Sequence, residues 1–337
     1  MSVGLDIGTK TIKVVELGQE GGKFVLKAAG AVGYKGTPID IKLQDEKEMA
    51  NIAASIKKLF NDARVSSRSV SIALPETQVF TRLLKFPLLN DQEIASAVKW
   101  EAEEYIPIPI KDAVVEHQVI ERQETGNPPQ ALILLTAVLR ELVEKYVQVL
   151  NLAGLNVSSI ETELMSMVRS LSVPGATVMI IDFGAKSTDI AIAKDEQLYF
   201  SRSIPTAGDA FTRAVAQALG VTPQQAEEYK RTYGLAQNQL EGKVGQSLLP
   251  IFKVVAEEVK KAIHYYTLDV KSEGPTTVII SGGTAGLPGA APVLSDLLGL
   301  EVTIGTPFSK IMVDADSAKG LANYAPLYSV AVGLAMR

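Results

Sequence analysis

The stretch V-G-L-D-I-G-T-K-T-I-K-V-V-E-L, from Val3 to Leu17, decides the fold because it returns as M-I-I-D-F-G-A-K-S-T-D-I-A-I-A from Met179 to Ala193. Laid over each other, the copies put Asp6 on Asp182, Gly8 on Gly184, Lys10 on Lys186 and Thr11 on Ser187. Each reads as a β-hairpin whose tight turn sits just beyond a buried strand. Glycine belongs at that turn because a side chain would keep a phosphate away from main-chain N–H groups. One copy alone is as well explained by an ordinary polar turn. Two in register, each with aspartate at the strand end, predict a pair of hairpins that face one another and clamp a polyphosphate. Asp6 and Asp182 then lie where a hydrated magnesium ion needs oxygen ligands.

Composition narrows the class around these motifs. A chain of 337 residues can form two domains, each with its own core. The 47% apolar and 21% charged fractions are those of a soluble globular protein. The absence of cysteine excludes disulfides, cysteine-ligated zinc and thiol catalysis. A net charge of −5 speaks against a broad basic surface, so no nucleic-acid partner is expected. The only histidines are His117 and His264, too few for a histidine metal site or a serine–histidine triad to be expected. No apolar run nears the roughly 18 residues that span a bilayer. The longest, A-L-I-L-L-T-A-V-L at Ala131–Leu139, has the length of a core strand. The first strand begins almost at once, so no signal peptide, no direct membrane insertion and a cytoplasmic location are expected.

Between the two hairpins, periodicity and turn chemistry predict a strand at Phe24–Tyr34, a boundary at Gly36–Pro38, and a helix at Glu46–Phe60. Strands at Ser69–Leu74 and Gln78–Phe86 follow, then a helix capped by Asn90 and running to Tyr105. The I-P-I-P-I run at Ile106–Ile110 stops that helix, because proline cannot continue it. Strands at Ala113–Glu121 and Gln130–Leu139 and a helix at Glu141–Leu152 complete an α+β insert drawn over residues 38–152. A strand at Val157–Glu161 and a short helix lead into the second hairpin. Helices at Gly208–Leu219, Pro223–Tyr233 and Pro250–Val270, a strand at Thr277–Ser281, and a last helix over Ala318–Met336 are expected beyond it.

Two further features bear on chemistry. The loop G-G-T-A-G-L-P-G at Gly282–Gly289 follows a Val-Ile-Ile strand and opens a helix, so main chain can approach a nucleoside or its phosphate there. It lacks the Gly-Lys-Ser/Thr of a P-loop and the G-x-G-x-x-G of a dinucleotide fold. In A-E-E-Y-K-R at Ala226–Arg231, Glu227 and Lys230 share one helix face, either as an exposed ion pair or in reach of a ribose or adenine.

Hairpin, hairpin and strand-loop-helix, in that order, resemble the phosphate-1, phosphate-2 and adenosine motifs of the actin-like ATPase superfamily at Leu5–Lys10, Ile181–Ser187 and Ile280–Gly286. T-A-G-D-A-F at Thr206–Phe211 is similar to the turn that follows phosphate-2 there, and A-E-E-Y-K-R to the helix that contacts adenosine. The resemblance covers nearly the whole chain. It implies an α/β, ribonuclease H-like fold of two duplicated domains flanking a nucleotide cleft, with an α+β insert subdomain. The implied division is 1–36, 153–176 and 318–337 for the first core unit, 37–152 for the insert, 177–206 with 275–317 for the second core unit, and 207–274 for a helical unit. It implies ATP or ADP with magnesium, bound by Asp6, Gly8, Thr9 and Lys10; by Asp182, Gly184, Ala185, Lys186 and Ser187; and by Gly208, Glu227, Lys230, Gly282, Gly283 and Thr284. Asp6 and Asp182 face the metal, through water. Glu161 or Glu163, just ahead of phosphate-2, is the candidate to orient an attacking water.

K-F-P-L-L-N-D-Q-E-I-A-S-A-V-K-W-E-A-E-E-Y-I-P-I-P-I at Lys85–Ile110 resembles the signature of the PilM family of type IV pilus assembly. The insert also resembles that of FtsA, but no amphipathic tail like FtsA's follows in this chain. The PilM resemblance implies that the protein is held peripherally at the inner membrane by the N-terminal cytoplasmic tail of a PilN-like protein. Pilus motor ATPases and self-association are further implied contacts. An extended tail docks where apolar side chains meet strand edges, with Trp100, Tyr105, Ile106, Ile108 and Ile110 as candidates to line or support the groove. Core packing is the competing explanation for each of them. Three functions stay open on the sequence: a nucleotide-dependent assembly scaffold with slow or no turnover, an FtsA-like filament former, and a small-molecule kinase of the same fold.

Overall fold

The computed structural model describes residues 1–125, 128–236, 242–270 and 272–337. The chain opens with β1 (Ser2–Ile7), β2 (Thr11–Glu20), β3 (Lys23–Gly33), α1 (Glu46–Asp62) and β4 (Ser69–Leu74). It continues through β5 (Val79–Pro87), α2 (Asp91–Tyr105), β6 (Ala113–Gln123), β7 (Gln130–Leu139), α3 (Arg140–Leu152), β8 (Asn156–Thr162) and α4 (Glu163–Leu171). The second half runs β9 (Thr177–Phe183), β10 (Thr188–Lys194), β11 (Gln197–Ile204), α5 (Gly208–Leu219), α6 (Pro223–Tyr233), α7 (Lys243–Val270), β12 (Thr277–Gly282), α8 (Ala290–Leu298) and β13 (Glu301–Ile304). It closes with β14 (Ile311–Met312), α9 (Ala315–Leu321) and α10 (Ser329–Ala335).

The sequence repeat is a repeat of whole sheets. The first sheet orders its strands β3-β2-β1-β4-β8, with β14 added beside β3, and the second orders them β11-β10-β9-β12-β13. In each, three antiparallel strands are followed by two parallel ones, and the motif-bearing strand sits in the middle. Central position explains why Val3, Leu5, Met179, Ile180 and Ile181 are almost wholly buried: such strands are covered on both faces and read as unbroken apolar runs.

Helices α4 and α10 lie between the sheets. Leu164, Met167, Val168, Val330 and Leu334 share one core with Val178, Ile180, Ala191 and Ala193 of the second sheet, while α10 also packs on β1. The approach is close because a Cβ on Gly333 would stand 1.8 Å from the carbonyl oxygen of Ser166, so only glycine fits. The outer face of the first sheet is covered by α1 and α3, that of the second by α5, α7 and α8. This is the duplicated α/β architecture that the resemblance implies.

Strands β5, β7 and β6 form a separate three-stranded sheet. Its apolar run on β7 splits between two environments. Ala131, Ile133, Leu135 and Ala137 pack with Ile94, Val98 and Ala102 of α2, while Leu132 and Leu134 join cores shared with the second half. The helix α2 has the predicted bounds, closed by a capping box between Asn90 and Glu93.

The insert as drawn from the sequence was too broad in one respect. β4 pairs with β1 and β8, and α1 and α3 pack on Val3, Leu5, Val70 and Ile72 of the first sheet. Only the stretch from β5 to β7 forms the separate sheet, because pairing of β4 with β1 joins residues about seventy apart that local pattern does not connect. Two helices also differ from expectation. Pro250 lies inside α7 rather than at its start, since Val244, Leu248 and Phe252 are buried in one core and hold the helix across the proline. The predicted terminal helix is broken into α9, a 3-10 stretch containing Pro326, and α10. No helix among the described residues is long and apolar enough to cross a membrane.

Candidate functional site

The two repeated turns close with the same hydrogen bond. The N–H of Gly8 donates to the carbonyl of Thr11 at 3.1 Å, and that of Gly184 to the carbonyl of Ser187 at 3.0 Å. Strand pairing then sets Asp6 opposite Lys13 and Asp182 opposite Asp189. The turns face each other across the molecule. Lys10, in the first, forms an ion pair with Asp209 at the start of α5. That helix start is fastened to the second turn, since Gly208 N–H donates to Gly184 at 3.1 Å and Asp209 N–H to Ala185 at 2.9 Å.

The third glycine loop joins the same place. Pairing of β12 with β9 sets Gly282 beside Phe183, and Gly282 has φ +81°. A Cβ there would stand 2.3 Å from Oδ1 of Asp182, so the position requires glycine on both counts. A Cβ on Gly208 would meet the carbonyl of Gly184 at 3.2 Å and Oγ1 of Thr284 at 3.7 Å. Residues from all three loops therefore surround one volume. Thr9, Ala185 and Ser187 are partly exposed along it, and Lys186 is exposed.

The electrostatics are those of a cation-seeking site. Asp6 is buried and receives the Lys13 ammonium at 2.9 Å. Lys13 is 9% exposed, and although burial pulls its pKa down, Asp6 chiefly, with Asp182 and Glu163, holds it above the usual lysine value. Burial first, and Asp189 second, push Asp182 up to about 7 against the pull of Lys13. Glu163, the first residue of α4, is driven well above the carboxylate range by burial and then by Asp189, Asp6, Asp182 and Glu76. Burial also raises Asp189, against the hydroxyls of Ser203 and Ser187. Its Oδ2 accepts from Ser187 at 2.9 Å, and Ser203 lies opposite it on β11. Several acids set around one lysine form an arrangement that a divalent cation would relieve.

Among the described residues no three acidic or histidine side chains converge closely enough to hold a metal by themselves. Magnesium keeps its water and leans on one or two carboxylates plus phosphate oxygens. Asp6 and Asp182 would hold it, and it would supply positive charge between them and the phosphates. Matched turns, a glycine-cleared loop and a carboxylate at each strand end make the residues present fit a magnesium nucleotide.

The structure separates the two candidate glutamates. Glu161 is held by Arg169 through two hydrogen bonds, at 2.7 and 2.8 Å, and is approached by Arg337. It is committed to a structural ion pair, whereas Glu163 lies among the aspartates. Glu227 and Lys230 are joined at 2.6 Å, and Lys230 also bonds Thr212 at 2.9 Å and the Gly208 carbonyl at 3.2 Å. Burial would raise Glu227, yet Lys230, Thr212 and Arg231 hold it down at about 2. This pair is bonded to the first turn of α5 through Gly208 and Thr212.

Sequence reasoning missed Lys13 and Asp189. Both lie one step farther along the repeat, at equivalent positions, so extending the superposition past the turn would have found them. Of the groove candidates, Ile106 is buried, and Tyr105, Ile108 and Ile110 are partly buried against the same cluster. The Arg82 guanidinium lies 3.7 Å above the Tyr105 ring. Trp100 is 77% exposed and outside that cluster.

The family described as type IV pilus assembly protein PilM matches residues 4–337. The chain is similar to cell division protein FtsA of Pseudomonas aeruginosa, at 25% identity over 100% of this chain and 88% of that one. It is also similar to FtsA of Streptococcus pneumoniae, at 23% identity over 90% and 75%. Among solved structures it resembles a PilM-PilN type IV pilus biogenesis complex, with TM-score 0.84 and 27% identity over 100% of this chain and 98% of that one. MreB 5 of Spiroplasma citri bound to AMPPNP superposes with TM-score 0.55 at 14% identity, covering 98% and 93%, which shows the actin-like fold alone.

Proposed function

We propose, from the premise that the chain belongs to the PilM family of type IV pilus assembly proteins, that it is a magnesium-nucleotide-dependent scaffold of that machinery. In this reading Asp6, Gly8, Thr9 and Lys10 hold one side of the phosphates, and Asp182, Gly184, Ala185, Lys186 and Ser187 the other. Gly282, Gly283 and Thr284 line the nucleoside side, with Gly208 at their junction. Lys13 supplies positive charge behind the first turn, and Glu163 is the group placed to orient a water. The insert holds the N-terminal tail of a PilN-like inner-membrane protein beside Tyr105, Ile108 and Ile110, which keeps the scaffold at the membrane without inserting it.

One observation carries the reading. Two turns from separate sheets, with identical closing hydrogen bonds and carboxylates in the same register, are bridged by Lys10 and Asp209. The similarity to a solved PilM-PilN complex supports the choice of partner.

The test is calorimetric titration of a synthetic peptide, the N-terminal segment of the PilN-like protein from the same organism, with and without saturating magnesium-ATP. Magnesium-ATP binds alone, and its presence changes the peptide affinity severalfold, as linkage requires of two coupled sites. Absence of ATP binding refutes the site. Equal peptide affinities in both states refute the linkage.

A further inference from the structure

The chain leaves the first sheet for the insert sheet through one short 3-10 turn, Glu76–Gln78, between β4 and β5. A glutamate at such a crossing is ordinarily solvated. Glu76 is instead 6% exposed. Its Oε1 accepts the main-chain N–H of Leu164 at 3.0 Å, across 88 residues of sequence. Leu164 is the second residue of α4, so the accepted donor is one of those a helix leaves free in its first turn.

The helix does not need Glu76 in order to be capped. Thr162 already serves as its N-cap, accepting from Met165 at 3.2 Å. What Glu76 adds is a connection between different parts of the molecule. β4 and β8 end side by side, with Leu74 paired to Thr162, and Glu76 extends from one strand end to the helix that grows from the other. The residue between Thr162 and Leu164 is Glu163, which lies among Asp6, Asp182 and Asp189. The same turn touches β11 of the second sheet. Thus the entry to the insert, the start of the central helix and the acidic cluster of the nucleotide site meet within a few residues.

We propose that Glu76 is a positioning residue that passes the state of the nucleotide site to the insert, by tying the hinge of the insert sheet to the amino-terminal turn of α4. This inference rests on the scaffold reading above. When cation and phosphates fill the space between the turns, the charge around Glu163 changes and the first turn of α4 shifts with it. The hydrogen bond from Leu164 carries that shift to Glu76, and through it to β5 and the sheet that holds the partner tail. The tie resists being broken because leaving either the buried acceptor or the amide unpaired is costly. Burial, and to a lesser degree Asp189, push Glu76 up to about 7 even though Thr162 and the Leu164 amide pull it down. A buried acid kept at such a place is held by geometry rather than by solvation.

The experiment uses the full chain as wild type, Glu76→Gln, Glu76→Asp and Glu76→Ala, and measures the ratio of tail-peptide Kd without and with saturating magnesium-ATP. Glutamine keeps an acceptor oxygen at the same reach and retains the wild-type ratio. Aspartate keeps the charge but is one methylene too short, and alanine removes the acceptor. Both bring the ratio to within twofold of 1, while the Kd of magnesium-ATP alone moves less than threefold. A purely structural role would lower the unfolding midpoint without selecting for reach. A wild-type ratio in Glu76→Asp, or in Glu76→Ala, overturns the inference and leaves the scaffold reading standing. Failure of the wild type to bind ATP, or to show any ratio, overturns the scaffold reading and this inference with it.

Discussion

Replacing Lys13 with methionine probes the site most directly, because the ammonium is the positive group buried among Asp6, Asp182 and Glu163. Methionine fills the same channel with a similar unbranched stem and removes only the charge. At 2.9 Å from Asp6, and with an effective dielectric of about 20, the attraction lost is about 6 kcal/mol. The desolvation that the ammonium no longer suffers offsets part of this. What remains is an uncompensated buried carboxylate, for which about 3–5 kcal/mol of destabilisation is expected. Urea unfolding of the nucleotide-free protein should show that loss in Lys13→Met and a comparable one in Asp6→Asn. The double variant should lose much less than the sum, since neither charge is then left alone. Lys13 Nζ lies 3.3 Å from the position a Cβ on Gly8 would take, directly behind the first turn, so Lys13→Met should also weaken magnesium-ATP binding at least tenfold by calorimetry. A single-variant cost below about 1 kcal/mol, together with additivity in the double variant, would show that the pair is solvated, and the electrostatic account of the site would fail.

Three other outcomes follow from the geometry. Gly282→Ala, which places a methyl group against Asp182 at φ +81°, abolishes the thermal shift produced by magnesium-ATP while the far-ultraviolet circular dichroism stays native; an undiminished shift would mean the third loop does not contact the ligand. Glu161→Gln breaks the paired bonds to Arg169 and costs about 1–3 kcal/mol of stability in urea, with the Kd for magnesium-ATP unchanged. If the Kd rises instead, Glu161 belongs to the site. Glu227 is held at about 2, below its ordinary 4.5, so its stabilising contribution is complete above pH 4.5 and is lost as pH falls from there toward 2. Unfolding free energies of Glu227→Gln should therefore fall less steeply than those of the wild type across that window, and parallel curves would contradict the assignment.

Local chemistry made much of this molecule readable. Asn90 marks the start of α2, and the two prolines beyond Tyr105 stop it, because both effects act within one turn of chain. The strand-turn-strand repeat fixed both hairpins and the place of Asp6 and Asp182, since alternation and turn glycines are properties of ten consecutive residues. Other features lay outside that range. Lys13 and Asp189 are charged residues beside apolar ones in their strands, and only burial brings them into a charged cluster. Pro250 read as a helix start because the packing that carries α7 through it comes from the neighbouring sheet.

By itself, the sequence determined that the chain folds as two copies of one sheet with glycine turns at matching strand ends. Only the tertiary structure decided that Glu161 is paired with Arg169, that β4 belongs to the first sheet, and that Glu76 reaches the start of α4. The reason is physical: turn and strand preferences are set by neighbours in the chain, whereas the ionisation of Glu163 and Glu76 is set by groups far away in sequence that folding brings together.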